Sequence, residues 1–271
     1  MNNWQKYNLG LIFKPPHVEV KNEVKKIKAS ISLLKGVLFA RWTSDFDCNK
    51  NTEFWYVIKD GFEGFEELSS NTRSKTRRGL KKFDVELIDR SLLKDLGYRV
   101  YESAFKRYQT HMNPLNKKQF QNELENQDSS WEYWGVFDKK TSELVAYSQN
   151  QILDKSCDYS RIKLNPNFLK FYPSYALFYK MNEYYLSEKK FKYVNDGARS
   201  ISHETNIQSF LVDKFKFRKA YCKLHLEYSI FIKLFLDIVK PFERIFDLVP
   251  LNLFKKVSIL IKQEKIRKSF E

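Results

Sequence analysis

Apolar and polar positions along the chain alternate in ways that predict strands and helices in turn. In the first 60 residues, two runs rich in aromatic and β-branched residues, at 37–42 and 53–58, are typical of strands. A helix should follow the turn at 59–61, because Ser69 or Ser70 can cap it. The dozen residues from 71 to 82 lack the apolar alternation that a strand needs.

From residue 83 onward the order of the predicted elements becomes informative. The pattern predicts a strand, two helices, three strands, a helix, a strand, a helix and a strand. These elements are expected at 85–88, 92–111, 117–125, 131–137, 144–153, 157–164, 176–186, 191–195, 204–215 and 218–228. Pro173 suits the first turn of the third helix, where its missing N–H costs nothing.

The last 40 residues combine an apolar face with basic charge. The stretch 231–249 is amphipathic and is interrupted at Pro241, and a second basic stretch follows Pro250. Residues 231–271 hold nine Lys or Arg against five acids, which adds +4. Helices of this kind either pack on a domain or lie on a membrane surface. The sequence predicts a mostly helical tail and leaves both alternatives open.

The composition favours a folded protein with polyanionic partners. A chain of 271 residues with 42% hydrophobic residues can fill a core, and its net charge is +15. This charge suits nucleic acid, an anionic membrane face or a phosphate-bearing cofactor. No apolar run approaches the roughly 20 residues that span a bilayer, and the first residues lack the pattern of a signal peptide, so we expect a cytoplasmic protein.

The three cysteines add to this expectation. Cys48, Cys157 and Cys222 are far apart and have no metal-ligand spacing. They predict free thiols and no metal site.

The segment NDGARSISHETNIQSFLVDKFKFRKAYCKL at 195–224 joins a strand, a helix near Asn206 and Phe217-Arg218 before a last strand. With the element order, it resembles the GNAT acyltransferase fold. The basic stretch SSNTRSKTRRGLKK resembles the start of the second domain of Fem-type acyltransferases. The resemblance implies an α/β fold with a mixed sheet flanked by helices. It also implies three domains: a shortened GNAT-like subdomain at 1–82, the acyltransferase domain at 83–228 and a basic helical tail at 229–271.

The same resemblance implies an N-acyltransferase that acts on an amine of a cell-envelope or polysaccharide precursor, with acyl-CoA as donor. Two alternatives remain open. One is an aminoacyl-tRNA-dependent ligase on this fold, and the other is a non-catalytic scaffold at a membrane surface. The protein would then work in the cytoplasm, either free or peripheral to the inner membrane face.

The loop at 165–176 differs from the glycine-bearing phosphate loop of the GNAT family, because it has no glycine. Glycine lets the backbone approach phosphate closely, and Pro173 removes one donor. Side chains could hold a phosphate instead, or the loop could be merely a solvated basic segment. The candidate cofactor-binding residues are Lys163, Lys170, Ser174, Tyr175 and, from the family pattern, Asn206.

The densest polar cluster spans 195–206, directly after a predicted strand. In an α/β sheet this is the edge where ligands collect. Asp196 and Glu204 could act as bases, and His203 could carry a proton because imidazole titrates near neutrality. Turn formation and helix capping would explain the same residues equally well. We expect this segment and the loop at 165–175 to line one pocket.

For the general acid and for the residues that bind an anion, the sequence gives several candidates. The family often places a Tyr two turns after its Asn, but this chain has Asp213 there, which leaves Tyr221, Tyr172 or Tyr159 as candidates. Arg73 and Arg77 are one helical turn apart and could grip a phosphate of the substrate or of tRNA. Arg199, inside the polar cluster, is a further candidate for substrate binding.

Overall fold

The structure is a computed structural model that describes residues 3–7, 9–20, 27, 31, 36–107, 113–201, 206–239 and 252–270. Three predicted features therefore lie outside the described residues. These are the end of the helix expected at 92–111, the candidates His203 and Glu204, and the part of the tail between 240 and 251.

The described elements follow the predicted order. The strands are β1 Trp4–Tyr7, β2 Gly10–Phe13, β3 Phe39–Ser44, β4 Phe54–Lys59, β5 Phe83–Ile88, β6 Trp131–Asp138, β7 Leu144–Leu153, β8 Ser156–Leu164, β9 Tyr193–Ala198 and β10 Arg218–Tyr228. The helices are α1 Ser70–Lys82, α2 Arg90–Phe105, α3 Lys117–Glu125, α4 Pro173–Asn182, α5 Asn206–Phe215, α6 Ile230–Val239 and α7 Asn252–Lys268.

Contacts divide the chain into two compact units. Unit 1 comprises residues 1–57, 198–206 and 219–271, and unit 2 comprises 58–197 and 207–218. Each unit is thus assembled from separate stretches of sequence, whereas the sequence predicts three consecutive domains. The boundaries at 82 and 228 stay a prediction.

Unit 2 is a mixed sheet with helices on it. Its strands lie in the order β9-β8-β7-β6-β5, antiparallel from β5 to β8, and β8 and β9 are parallel. β7 is buried along its first eight residues, because β6 and β8 pair with its two edges and the helices α2 and α4 contact it. Helices α2 and α3 cover one hydrophobic core. Its buried members are Leu93, Val100, Tyr101, Phe120, Leu124, Tyr133, Leu144 and Tyr147.

Unit 1 contains a second set of strands and the two C-terminal helices. β1 pairs antiparallel with β2, β2 parallel with β3, and β3 antiparallel with β10. Leu11, Ile27, Ile31, Val37 and Ala40 form one core cluster.

A second core cluster of unit 1 joins the two C-terminal helices. Leu236 and Val239 of α6 and Val257 and Ile261 of α7 form it.

Helix α1 starts and packs as its sequence dictates. The Ser69 side chain accepts a hydrogen bond from the Thr72 N–H at 3.3 Å, which confirms the predicted cap. Its buried residues, Thr72, Thr76 and Gly79, share one face. At Gly79 a Cβ atom would lie 2.7 Å from the Tyr172 carbonyl oxygen and 3.2 Å from Ala176 Cβ. The missing side chain therefore lets α1 touch the start of α4.

Replacing Gly79 tests this contact. Alanine normally stabilises a helix interior relative to glycine by about 1 kcal/mol. At Gly79 we expect the opposite, a destabilisation of about 1–3 kcal/mol, because the new methyl group overlaps backbone. Thermal unfolding of Gly79→Ala should show a lower Tm. Ser74→Ala, at an exposed position of α1, is the control and should leave Tm equal or slightly higher. A Gly79→Ala protein more stable than wild type would contradict the packing.

Candidate functional site

The two parallel strands of unit 2 separate soon after they meet. β8 and β9 pair at Ser156–Tyr193, Cys157–Val194 and Asp158–Asn195, and no further pair joins them. β8 nevertheless continues for six residues to Leu164 and β9 for three to Ala198. The gap between separating strands leaves backbone groups and side chains open to a ligand. We take this gap as the candidate site.

Polar side chains form hydrogen bonds at the point where β8 and β9 separate. Asn195 Nδ2 donates to Asp158 Oδ1 at 2.6 Å, and Asn195 Oδ1 accepts from the Gly197 N–H at 2.7 Å. Both Asp158 and Asn195 are buried. Gly197 has a φ of 94°, a left-handed conformation that favours glycine and distorts β9 one residue before its end. The hydrogen bonds of Asn195 thus fix Asp196 between a paired residue and this distortion.

Asp196 is the carboxyl with the strongest perturbation at this site. Burial, and secondly the negative charge of Asp158, raise its pKa from 3.8 to about 8. A carboxyl with this pKa exchanges its proton near neutral pH. Asp196 can therefore accept or return a proton under physiological conditions.

A buried tyrosine lies at the same point of β8. Tyr159 is the first residue of β8 beyond the last pair, and its hydroxyl donates to Asn182 Oδ1 at 2.9 Å. Burial raises the pKa of Tyr159 well above its ordinary value, and the charge of Asp196 adds to this shift. Tyr159 therefore stays protonated. The buried Nδ2 of Asn182 has no acceptor among the described residues, which leaves a donor for a ligand.

The edge of β8 is also irregular. Its pairing with β7 passes from Gln149–Arg161 to Asn150–Tyr159, so Ser160 is an unpaired extra residue. Such a bulge re-aims the backbone and leaves its own groups outside the ladder. The Ser160 N–H is therefore a candidate donor to a carbonyl oxygen in the gap.

The start of α4 follows β8. A 3₁₀ turn at Pro166–Phe171 leads into Tyr172, whose φ of 67° and ψ of 41° are left-handed, and Pro173 occupies the first helical turn. Helix geometry leaves the N–H groups of Ser174 and Tyr175 without an intrahelical acceptor. The helix dipole makes this end favourable for an anion.

Three cations of α1 are directed at this helix start. Lys75 Nζ lies 5.8 Å from the Tyr172 ring centroid and 5.7 Å from that of Tyr175. The Arg78 guanidinium lies 4.9 Å from the Tyr172 ring, and its Nη1 donates to the Tyr172 hydroxyl at 3.4 Å. Lys82 Nζ lies 4.7 Å from the Phe171 ring and pairs with Asp138 at 2.7 Å. Because Gly79 brings α1 against α4, these side chains surround the start of α4.

The predicted cofactor-binding residues do not all lie at the start of α4. Ser174 is half-buried at the helix start, and Tyr175 is buried among Tyr172, Phe210 and Phe215. Lys170 lies over the neighbouring Phe171 ring at 5.1 Å. Lys163 is half-buried near the end of β8, and Asn206 is exposed at the first turn of α5.

The predicted anion contacts lie on other surfaces. Arg73 Nη2 donates to the Leu68 carbonyl at 3.3 Å, and the Arg77 guanidinium lies 5.0 Å from the Phe65 ring. Both arginines therefore point away from the start of α4. Whether they bind substrate stays a prediction.

Two further candidates belong to unit 1. Arg199 pairs with Glu53 at 2.8 Å, stacks over Trp55 at 4.7 Å and lines a cavity of about 220 Å³ together with Lys262 and Lys265. Tyr221 on β10 packs edge-on against Trp55, with ring centroids 6.0 Å apart. The catalytic role of Tyr221 also stays a prediction.

Sequence reasoning missed the cations Lys75, Arg78 and Lys82, although a signal was present. Their spacing of three and four residues places them on one side of α1, next to the small residues of its packed face. Asp158 was missed because a single acid in a strand of mixed polar and apolar residues carries no periodic signal. Asn182 likewise falls inside an apolar helix.

Comparison with solved structures identifies the fold. FemX superposes with a TM-score of 0.59 at 11% identity, over 86% of this chain and 84% of FemX. L-PGS from Bacillus licheniformis superposes with a TM-score of 0.52 at 10% identity, over 96% of this chain and 85% of L-PGS. The C-terminal domain of a proposed lysylphosphatidylglycerol synthetase from Agrobacterium fabrum superposes with a TM-score of 0.53 at 10% identity. The match covers 82% of this chain and 78% of that domain.

The chain therefore has the fold seen in FemX, which confirms the predicted mixed sheet flanked by helices. No protein-family model matches the chain. No curated protein sequence matches it either.

The raised pKa of Asp196 predicts how stability depends on pH. Between about pH 4 and 8 the folded protein keeps a proton on Asp196 that the unfolded chain releases. This group therefore lowers stability as pH rises through that range, and the loss is complete above pH 8. Asp196→Asn cannot ionise, so its Tm should match wild type near pH 4 and exceed it near pH 9.

Thermal unfolding across this pH range measures the effect. Asp213→Asn, which removes an exposed carboxyl on α5, is the control and should keep the wild-type pH dependence. Identical pH profiles for wild type and Asp196→Asn would show that Asp196 is an ordinary carboxyl.

Proposed function

We propose that the protein is an N-acyltransferase of GNAT or Fem-like type, which transfers an acyl group from a phosphate-bearing donor to an amine of a cell-envelope or polysaccharide precursor. The observation that carries the proposal is the gap between β8 and β9, bordered by a helix start that faces three cations. Acyl transfer needs a donor held in place, a polarised carbonyl and a route for the proton. Unit 2 offers a residue for each requirement.

The donor would bind by its phosphate at the start of α4. Two unsatisfied N–H groups and the dipole favour an anion there. Lys75, Arg78 and Lys82 add charge that a neutral helix end lacks. The loop has no glycine, so the close backbone cradle of the GNAT family does not fit, and side chains replace it. Coenzyme A, when bound, would supply the acyl thioester.

The proton would pass through two residues at the gap. As the acceptor nitrogen attacks the acyl carbon, it must lose a proton, which Asp196 in its ionised form can accept. The leaving group must gain one, which Tyr159 can donate because burial keeps it protonated. The Ser160 N–H can stabilise the carbonyl oxygen while it carries negative charge. The ionised share of Asp196 grows with pH, so the rate should rise up to about pH 8.

A second donor, aminoacyl-tRNA, is favoured by the outer surface of α1. Arg77, Arg78 and Lys81 are exposed on this helix, which has no acidic residue. Tyrosine and phenylalanine rings next to cations are also suitable for stacking with unpaired bases. The likeness to a proposed lysylphosphatidylglycerol synthetase supports aminoacyl transfer as a candidate reaction. Both donors are made inside cells, so we propose a cytoplasmic enzyme, with its acceptor at the inner membrane face.

Removing two positive charges beside the start of α4 tests the proposed donor site. Lys75→Gln/Arg78→Gln should weaken binding of the donor at least tenfold, since each charge-assisted bond to phosphate contributes about 1.5–3 kcal/mol. Lys117→Gln/Lys118→Gln removes two exposed charges from α3 of the same unit and should leave binding unchanged. Calorimetry with coenzyme A and gel shifts with tRNA at two salt concentrations give the measurements.

The outcomes separate the candidates. Binding of coenzyme A, followed by transfer from acetyl coenzyme A to an amino sugar, supports the first donor. Salt-sensitive binding of tRNA alone supports the second. Binding of neither, or equal effects of the two double variants, contradicts the proposed donor site.

A further inference from the structure

Helix α6, Ile230–Val239, exposes most of its large apolar side chains. Five of them share one side of the helix and have exposed fractions of 40% or more: Ile230 68%, Phe231 84%, Leu234 60%, Phe235 40% and Ile238 69%. Monomeric soluble proteins rarely expose contiguous apolar patches of this kind, and such patches commonly mark an interaction surface.

The opposite side of α6 already has its partner. Leu236 and Val239 are buried against Val257 and Ile261 of α7. At 100° per residue the exposed apolar side chains cover an arc of about 140°, and the buried ones cover the adjacent arc. Only Lys233 and Asp237 lie on the remaining strip. A helix that is apolar around most of its circumference needs a second apolar environment in addition to the core.

The neighbouring helix carries exposed positive charge. Lys262, Lys265 and Lys268 of α7 are exposed, on the helix whose Val257 and Ile261 pack against α6. With a net charge of +15, the chain attracts anionic surfaces and repels a second copy of itself. The charge therefore favours an anionic occupant for the apolar side of α6.

The small size of α6 favours a lipid surface over a protein partner as the occupant of its apolar side. Ten residues of helix span about 15 Å, and a stable protein interface buries 20–30 residues on each side. Among the described residues, no helix is long and apolar enough to cross a membrane. An amphipathic helix next to basic residues, with large apolar side chains on its outer face, is typical of a helix lying in the bilayer interface.

We infer that α6 is a membrane-docking helix that inserts its five exposed apolar side chains into the interfacial layer of an anionic phospholipid bilayer. The lysines of α7 attract the phosphates of the lipid headgroups. This inference stands on unit 1 alone and does not depend on the acyl-transfer proposal.

Vesicle flotation of the full-length protein tests it. The protein should float with vesicles of phosphatidylglycerol and phosphatidylcholine, and much less with phosphatidylcholine alone. Phe231→Gln/Leu234→Gln should lower the partition coefficient at least tenfold. Leu92→Gln/Leu96→Gln makes the same change at exposed apolar positions of α2 in unit 2 and should leave the partition unchanged. Equal Tm values for the wild type and both variants show that folding is intact.

A charge variant and a fluorescence probe complete the experiment. Lys262→Gln/Lys265→Gln/Lys268→Gln should reduce partition about tenfold in about 50 mM salt and much less in about 500 mM, because salt screens surface charge. Phe231→Trp should show a blue-shifted emission when anionic vesicles are added. A wild-type protein that ignores anionic vesicles overturns the inference. So does a dimer, seen by light scattering without lipid, that Phe231→Gln/Leu234→Gln converts to a monomer.

Discussion

The pairing of β8 with β9 ends at the hydrogen bond between Asn195 and Asp158, and the candidate chemistry of unit 2 depends on that end point. Before it, the two strands share a ladder and nothing can enter between them. Beyond it, the bulge at Ser160 and the left-handed Gly197 turn the strands in different directions. Tyr159 and Asp196 are the first residues past the end point, so the backbone places the proposed proton donor and the proposed proton acceptor on neighbouring strands.

Charge is distributed unequally between the two ends of this site. At the start of α4, lysine and arginine side chains of α1 surround a helix terminus that already favours anions. At the gap, the carboxyls of Asp158 and Asp196 are close enough that one raises the pKa of the other. Positive potential would hold a phosphate, and burial, with the charge of Asp158 as a second cause, gives Asp196 a pKa that suits the proposed base. The contact at Gly79 joins the two arrangements, because it brings the cations of α1 against the helix that follows β8.

Local patterns predicted the elements well. The bounds of α3, β7 and β10 agree with the predicted ones, since polar turns and a capping box mark their ends clearly. β1 and β2 were missed, because four residues are too few for a periodic signal. The helix predicted at 176–186 instead changes from α4 to a π-helical turn at Glu183–Glu188, and no residue type specifies that change.

The site was less predictable for a physical reason. Asp196, Ser174 and Tyr175 became candidates because they follow strands, and strand ends are visible in sequence. Lys75 and Arg78 matter only because α1 packs on α4, and that contact joins segments almost 100 residues apart. The role of Arg199 could not be judged either, because its partner Glu53 is 146 residues away. Periodicity indicates which face of a helix is buried but not which other element covers it.

Hydrogen exchange of the full-length protein with and without donor tests the central claim most directly. The account predicts that coenzyme A or aminoacyl-tRNA slows amide exchange at Ser174 and Tyr175 and at Ser160, and leaves α6 and α7 unchanged. Slowed exchange confined to other segments, or no change at these three amides when a bound donor is present, would contradict the placement of the site in the gap between β8 and β9.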